Sequence, residues 1–329
     1  MNGMTTKHRL LAYLKENKGL WVSGESLSSR MSVSRSALWK HVRALISEGY
    51  QIESSPKKGY LFRKSPDLLF SEEIREGLTT RWLGQKEISY YTETDSTNIK
   101  ARELALAGAA EGSLVIAETQ TAGKGRRGRP WFSPSEHGIY LSIIVRPAIP
   151  PSETPKLVLV SSVTVAELLH NRTSLKAQIK WPNDILINKK KIAGILLEAG
   201  TDMETVDYCI VGLGLNVNNP AGSFPDAIRD SATSLSIESG RNISRTDLVR
   251  EYLVLFEHYY EEFLDGRGDA IVARWKELTG IVGRRVSVDL SGRIYRGTVT
   301  DVDENGALMI RDRTGTIHRV FSGDITYRI

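Results

Sequence analysis

The residues best suited to chemistry lie in one short stretch, Gly123-Lys124-Gly125-Arg126-Arg127-Gly128-Arg129-Pro130-Trp131, which packs four cations among three glycines. Glycine lets a backbone move or approach a ligand closely. Clustered Arg and Lys on such a backbone bind phosphate or another spread negative charge. The stretch therefore reads as a flexible cationic flap over an anionic ligand, with a solvated basic surface loop as the plainer alternative. Its glycines also spell G-x-G-x-x-G, but a dinucleotide fingerprint needs a strand running into the glycines and a helix starting at them. Here the apolar run Leu114 to Ala117 ends early, polar Glu118 to Thr121 intervenes, and Pro130 and Pro134 follow. No G-x-x-x-x-G-K followed by Ser or Thr occurs, which removes the P-loop.

Three further groups of polar or small residues stand near this stretch in the chain. Asp95-Ser96-Thr97-Asn98 precedes an amphipathic helix, Ile99 to Ala109. Such a cluster caps helices, and it also gathers hydroxyls and an amide where polar ligands are held. Lys180-Trp181-Pro182-Asn183-Asp184 leads into Ile185 to Ile187, a turn Asn188-Lys189-Lys190, and the run Lys191 to Glu198, which reads as a hairpin. Asp184 holds a metal, holds a ribose hydroxyl, or begins a turn. By spacing alone Lys191 is an exposed turn lysine, although its amine has the reach to turn back toward a cleft. Gly212-Leu213-Gly214-Leu215-Asn216 puts small residues on a strand, either for close approach of a ligand or for a bend.

The elements that position these groups alternate between helix and strand from about Leu68 to Thr279. Ile88 to Tyr91, Leu114 to Ala117 and Gly138 to Val145 read as strands, and Leu157 to His170 as a largely apolar helix. The tail differs. Arg285–Leu290, Arg293–Val302, Ala307–Asp312 and Ile317–Phe321 are short alternating strands with turn signals at Ser291-Gly292 and Asn305-Gly306. They predict a small antiparallel barrel resembling an SH3 domain, which either caps an active site or binds a partner.

The head is basic. Residues 1–65 carry 12 Lys and Arg against 4 Asp and Glu, whereas the whole chain is only +5, so the body is slightly acidic and the head alone is suited to a polyanion. Helices are predicted at Thr5 to Asn17, from a Ser23 cap to Met31, and from a Ser34 cap over Arg35 to Glu48. The third buries Leu38, Val42 and Leu45 and offers Ser36, Lys40 and Arg43, the division of labour of a recognition helix. Trp39 falls at the edge between the two faces. Strands Tyr50–Glu53 and Gly59–Phe62 bracket a basic tip, Ser54 to Lys58. Three helices and a basic hairpin make a winged helix-turn-helix. DNA is the expected partner, with Arg35, Ser36, Lys40 and Arg43 toward the groove and Lys57 and Lys58 on phosphate; a scaffold for protein contacts is the alternative. Arg63 to Asp67 reads as the linker.

With 329 residues, 40% hydrophobic and 25% charged, the chain is an ordinary globular protein of two or three domains. It shows neither a signal peptide at Met1 to Leu10 nor a membrane-length apolar run, and a cytoplasmic location is expected. The lone Cys209 cannot form an internal disulfide and reads as a buried thiol, and the six histidines lack ligand spacing.

Taken in order, Gly-Lys-Gly-Arg-Arg-Gly-Arg with its following Trp, Lys-Trp-Pro-Asn-Asp, and Lys-Ile-Ala-Gly-Ile-Leu-Leu-Glu resemble the motifs of biotin protein ligases. With the winged helix ahead, nearly the whole chain resembles the bifunctional bacterial form, a ligase that also represses biotin-synthesis genes. Lys124 departs from the Arg frequent in this loop, keeping charge and losing bidentate geometry.

The resemblance implies an α+β multidomain protein: a winged helix-turn-helix over 1–65, a catalytic domain of class II synthetase-like fold with a mixed sheet over 66–280, and an SH3-like barrel over 281–329. It implies that biotin and ATP give biotinyl-5′-AMP and diphosphate with Mg²⁺, and that the biotinyl group then passes to a lysine of a biotin carboxyl carrier domain of a biotin-dependent carboxylase. It assigns Ser96, Thr97, Asn98, Gln120, Lys124, Gly125, Arg126 and Lys191 to biotin. Arg126, Arg127, Arg129, Trp131, Asn183 and Asn216 go to ATP or the adenylate, Gly212 and Gly214 to the floor, and Asp184 to phosphate and metal. Arg126, Lys191 and Asp184 are the expected catalytic residues. It further implies a homodimer promoted by biotinyl-5′-AMP on the operator of biotin synthesis or transport genes. A sensing regulator without catalysis and a lipoate-ligase-like acyl transferase are the competing readings.

Overall fold

A computed structural model describes residues 5–202 and 204–327 and divides the chain into two compact units, Met1–Leu68 and Leu69–Ile329. In the first unit, α1 (Thr6–Glu16), α2 (Gly24–Met31) and α3 (Arg35–Ser47) pack through Leu10, Leu14, Leu27, Leu38 and Leu45. Thr5, Ser23 and Ser34 cap the three helices by accepting a backbone N–H. The wing is a three-stranded sheet. β1 (Trp21–Val22), which sequence reading missed for its brevity, joins β2 (Gln51–Ser55) and β3 (Gly59–Lys64) in the order β1-β3-β2. Ser54 and Ser55 belong to β2, paired with Tyr60 and Gly59, so the hairpin tip narrows to Pro56-Lys57-Lys58.

The second unit opens with the short α4 (Ser71–Arg75) and builds a seven-stranded mixed sheet. Its strands are β4 (Ile88–Thr94), β5 (Leu114–Gln120), β6 (Gly138–Val145), β7 (Gln178–Lys180), β8 (Asp184–Ile187), β9 (Lys190–Thr201) and β10 (Val206–Asn216), in the order β4-β5-β6-β10-β9-β8-β7. Only β4 and β5 run parallel, joined through α5 (Thr97–Leu106). β5 does not stop with the apolar run at Ala117. It continues because Thr94 pairs with Gln120 and because Glu118 is buried in an ion pair with Arg245.

Alternation along the strands sorts the core. Leu114, Ile116, Ile143, Val145, Val211 and Leu213 face a large cluster under α6 (Lys156–Thr173), α9 (Arg245–Leu264) and α10 (Gly268–Thr279). Val115, Ile144, Tyr208 and Ile210 face Ala101 and Ala105 of α5. β6 is therefore buried on both faces, which is why it reads as a continuous apolar run. Cys209 of β10 is fully buried, and loss of solvation pushes its thiol up to about 12.

Two short helices, α7 (Asp226–Arg229) and α8 (Leu235–Ser239), follow β10. The chain ends in an antiparallel five-stranded sheet: β11 (Arg285–Leu290), β12 (Arg293–Val302), β13 (Leu308–Arg311), β14 (Ile317–Val320) and β15 (Asp324–Tyr327), ordered β14-β13-β12-β11-β15. β15 went unpredicted, and it brings the tail to the cavity described next. Among the described residues no helix is long and apolar enough to cross a membrane.

Candidate active site

α5 covers only part of its face of the sheet. Beyond its N-terminus, small residues keep the surface low. Gly212 pairs with Ser142 on one side and Leu196 on the other, and Gly214 pairs with Tyr140 and Gly194. A Cβ on Gly212 would lie 2.2 Å from Asn98 Oδ1, and one on Gly214 would lie 2.5 Å from the Trp131 indole. Glycine at both positions is thus required by close approach, and the result is a cavity of about 350 Å³.

Its lining brings together Ser96, Thr97, Asn98, Gln120, Lys124, Gly125, Arg126, Arg127, Arg129, Trp131, Asn183, Asp184, Lys191, Gly212 and Gly214 from five separate segments of the chain. One end is neutral and polar. Gln120 Oε1 accepts from the Thr97 N–H at 2.8 Å, and Gln120 Nε2 donates to Ser133 at 3.0 Å. Asn98 donates to Glu198 at 2.7 Å while its Oδ1 accepts from Ser142 at 2.7 Å. Ser96 occupies the N-cap position of α5 without a side-chain capping bond, which leaves its hydroxyl to the cavity.

The other end is cationic. The glycine-rich segment is folded back on itself, with Gly125 N–H donating to Arg129 O at 2.7 Å and Trp131 N–H to Gly123 O at 2.8 Å. It is also pinned by the C-terminal sheet. Asp324 accepts from Arg127 at 3.0 Å and Arg129 at 2.5 Å, and Ser322 accepts from Arg126 at 2.5 Å. Burial pulls the Arg126 guanidinium below its ordinary range, and neighbouring Arg127 adds to this. Burial acts to raise the Asp324 carboxyl, but the hydrogen bond from Arg129 and the surrounding guanidiniums outweigh it and hold the group low. Arg126 also donates to Asn183 Oδ1 at 3.3 Å, and Asn183 Nδ2 donates to Ile195 O at 2.7 Å, so the Asn183 turn is fixed from two sides.

Lys191 is not an exposed turn lysine. The hairpin turn is only Asn188-Lys189, with φ of 50° and 65° at the two residues, the positive values a two-residue turn demands. Lys190 already belongs to β9. The backbone of Lys191 is clasped by Ser231 O at 2.7 Å and the Thr233 N–H at 2.9 Å. Its Nζ sits 2.7 Å from Asp184 Oδ1 and 5.2 Å from the Trp131 ring centroid. Spacing cannot reveal this, because the clasp comes from a segment forty residues downstream.

Asn216 is not brought together with the other expected site residues. Its buried side chain donates to Thr233 O at 2.9 Å, and it does not line the cavity. Conversely, Lys180, Gly194, Gly323, Asp324 and Ile325 line the cavity without having been singled out. The Lys-Trp-Pro-Asn-Asp motif was the available signal for Lys180. Nothing local marks Asp324. Among the described residues no group of three or more His, Cys, Asp or Glu side chains is placed to hold a metal ion.

In the first unit, Arg35, Ser36, Lys40, Arg43, Lys57 and Lys58 are all exposed. Arg35 lies 3.6 Å from Glu25, and the Lys58 amine lies 5.7 Å from the Trp21 ring centroid.

The chain is similar to known proteins along nearly its whole length. The Biotin/lipoate A/B protein ligase family matches residues 90–216, an HTH domain matches 6–61, and the Biotin protein ligase C terminal domain matches 281–328. The bifunctional ligase/repressor BirA of Bacillus spizizenii is 37% identical over 321 residues, 98% of each chain. That of Escherichia coli is 30% identical over 335 residues, covering 100% of this chain and 99% of its own. Among solved structures, the biotin protein ligase from Aquifex aeolicus in complex with biotin and ATP superposes with a TM-score of 0.63 at 28% identity, over 74% of this chain and 99% of that one. The chain belongs to the biotin protein ligase family, in the bifunctional form that carries a helix-turn-helix head ahead of the ligase body.

Proposed function

We infer that this chain condenses biotin with ATP to biotinyl-5′-AMP and diphosphate, and then passes the biotinyl group to one lysine of a biotin carboxyl carrier domain with release of AMP. The carrying observation is the charge of the cavity: Lys124, Arg126, Arg127, Arg129, Lys180 and Lys191 face only two carboxylates, Asp184 and Asp324. Adenylation brings a carboxylate against an α-phosphate, two anions that repel. A preorganised cationic wall offsets that repulsion and stabilises charge developing on the leaving diphosphate. The neutral end, Ser96 to Asn98 with Gln120, suits the donors and acceptor of a cyclic urea. Trp131, on the glycine floor, suits an adenine ring. The mixed anhydride is already activated for attack by an amine, so no covalent enzyme intermediate is needed.

Mg²⁺ enters this reading with the nucleotide. It is held by one or two carboxylates plus substrate phosphates in sites of this kind, and Asp184 can supply one such ligand. The head, taken as 1–65, binds operator DNA of biotin synthesis or transport genes as a homodimer favoured by the adenylate, and the protein works in the cytoplasm. Residues 66–280 carry the chemistry, and 281–329 hold the cationic loop through Ser322 and Asp324.

Incubation with labelled biotin, ATP, Mg²⁺ and a purified carrier domain is expected to release diphosphate and label the carrier. No diphosphate release would favour a sensing regulator, and lipoate displacing biotin would favour the acyl-transferase alternative. Arg126→Gly removes the guanidinium that links Asn183 to Ser322. The variant is expected to release bound adenylate about 10- to 100-fold faster, the worth of a charge-assisted hydrogen bond, and to label lysines indiscriminately. An unchanged adenylate off-rate would remove this role.

A further inference from the structure

We propose that Trp39 reads bases: its indole contacts the 5-methyl group of thymine in the major groove, beside a guanine engaged by Arg43. This rests on the DNA-binding reading of the head. Ser36, Trp39, Lys40 and Arg43 are spaced i, i+3, i+4, i+7 along α3, with Trp39 at the margin of this outward stripe on the side of Val42. Leu38, Val42 and Leu45 fill the opposite, buried side. Trp39 is 54% exposed, whereas Trp181 and Trp275 of the same chain are 2% and 0% exposed. An indole left in water on a helix of polar neighbours forgoes a large apolar burial, and a partner surface would recover it.

The neighbouring side chains say which surface. The Arg43 guanidinium lies 5.6 Å from the Trp39 ring centroid, a cation–π contact that holds the two side chains as one unit. A groove of about 420 Å³ beside α3 is lined by Trp39, Arg35 and the wing residues Pro56 and Lys57. Glu25 also lines the groove, 3.6 Å from Arg35, but the exposed Lys40, Arg43, Lys57 and Lys58 leave the surroundings cationic, which suits a polyanion. In the major groove, thymine alone offers a methyl group for apolar contact, and guanine offers N7 and O6 to a guanidinium fork. Residues four apart on a helix are separated by roughly 6 Å of rise, less than two base-pair steps of about 3.4 Å. The preferred half-site should therefore place a thymine and a guanine within two base pairs of each other.

The test uses the full chain with biotin, ATP and Mg²⁺, selecting duplexes from a random pool. The selected duplex is then remade with deoxyuridine for thymine. Wild type is expected to lose about fourfold in affinity for each contacted methyl removed. Trp39→Ala should bind thymine and deoxyuridine duplexes alike, with the salt dependence of binding unchanged because its phosphate contacts remain. Biotin ligation by Trp39→Ala should match wild type, and its unchanged salt dependence of DNA binding reports an intact head. Equal thymine discrimination by wild type and Trp39→Ala would overturn the proposal. So would a Trp39→Ala defect confined to protein–protein association. If wild type enriches no sequence at all, the DNA reading falls and this inference with it.

Discussion

Lys191→Ala is expected to slow single-turnover formation of biotinyl-5′-AMP by about 10²- to 10³-fold, the usual cost of removing one preorganised group that stabilises transition-state charge. The loss should exceed that for other cations of the cavity, for a geometric reason. Lys191 Nζ is held 2.7 Å from Asp184, with its backbone clasped by Ser231 and Thr233, so its position is settled before substrate arrives. Removing it also leaves the Asp184 carboxylate uncompensated, facing incoming phosphates. Rapid-quench measurement of adenylate with enzyme in excess isolates this step from transfer to the carrier. Adenylation at the wild-type rate in Lys191→Ala would end the assignment.

Glu118→Ala is expected to destabilise the second unit by about 3–5 kcal/mol, the range for breaking a buried ion pair from one side. Arg245 and Glu118 are 0% and 1% exposed and 2.7 Å apart. The Arg245 guanidinium also donates to Gly138 O at 3.0 Å, and Glu118 Oε1 accepts the Leu69 N–H at 2.8 Å. The pair thus ties the start of the second unit, strand β5 and the start of β6 to helix α9. Removing the carboxylate strands a guanidinium in the core and orphans the Leu69 N–H. Adding Arg245→Met should restore stability relative to Glu118→Ala alone, because two apolar groups replace an unmatched charge. Urea unfolding of both variants checks this. Equal midpoints for wild type and Glu118→Ala would mean that the pair contributes nothing net.

Periodicity made much of the fold legible. The head helices with their serine caps, β6, α6 and the paired motifs of the cavity lie close to where alternation and capping residues put them, because those signals are local. Short or polar elements escaped. β1 has two residues, and the polar end of β5 is stabilised by Arg245, which lies 127 residues away in the chain. The same limit governed the site. Residues inside motifs were found as groups, since each motif is one turn or one strand end. What each side chain touches was not legible: Lys191 looked like its turn neighbours until a distant segment clasped it, Asn216 turned toward Thr233, and Asp324 reached the cavity only through the topology of the last strand.

The buried Cys209 has a practical corollary. It is the only cysteine of the chain, it is enclosed in β10, and its thiol stays protonated at neutral pH. Maleimides react with accessible thiolates, so the native protein is silent to them without any residue being replaced. One cysteine added at an exposed position of the head that carries no assigned DNA contact, as in Lys18→Cys, would carry a fluorophore alone and turn arrival at an operator into an optical signal.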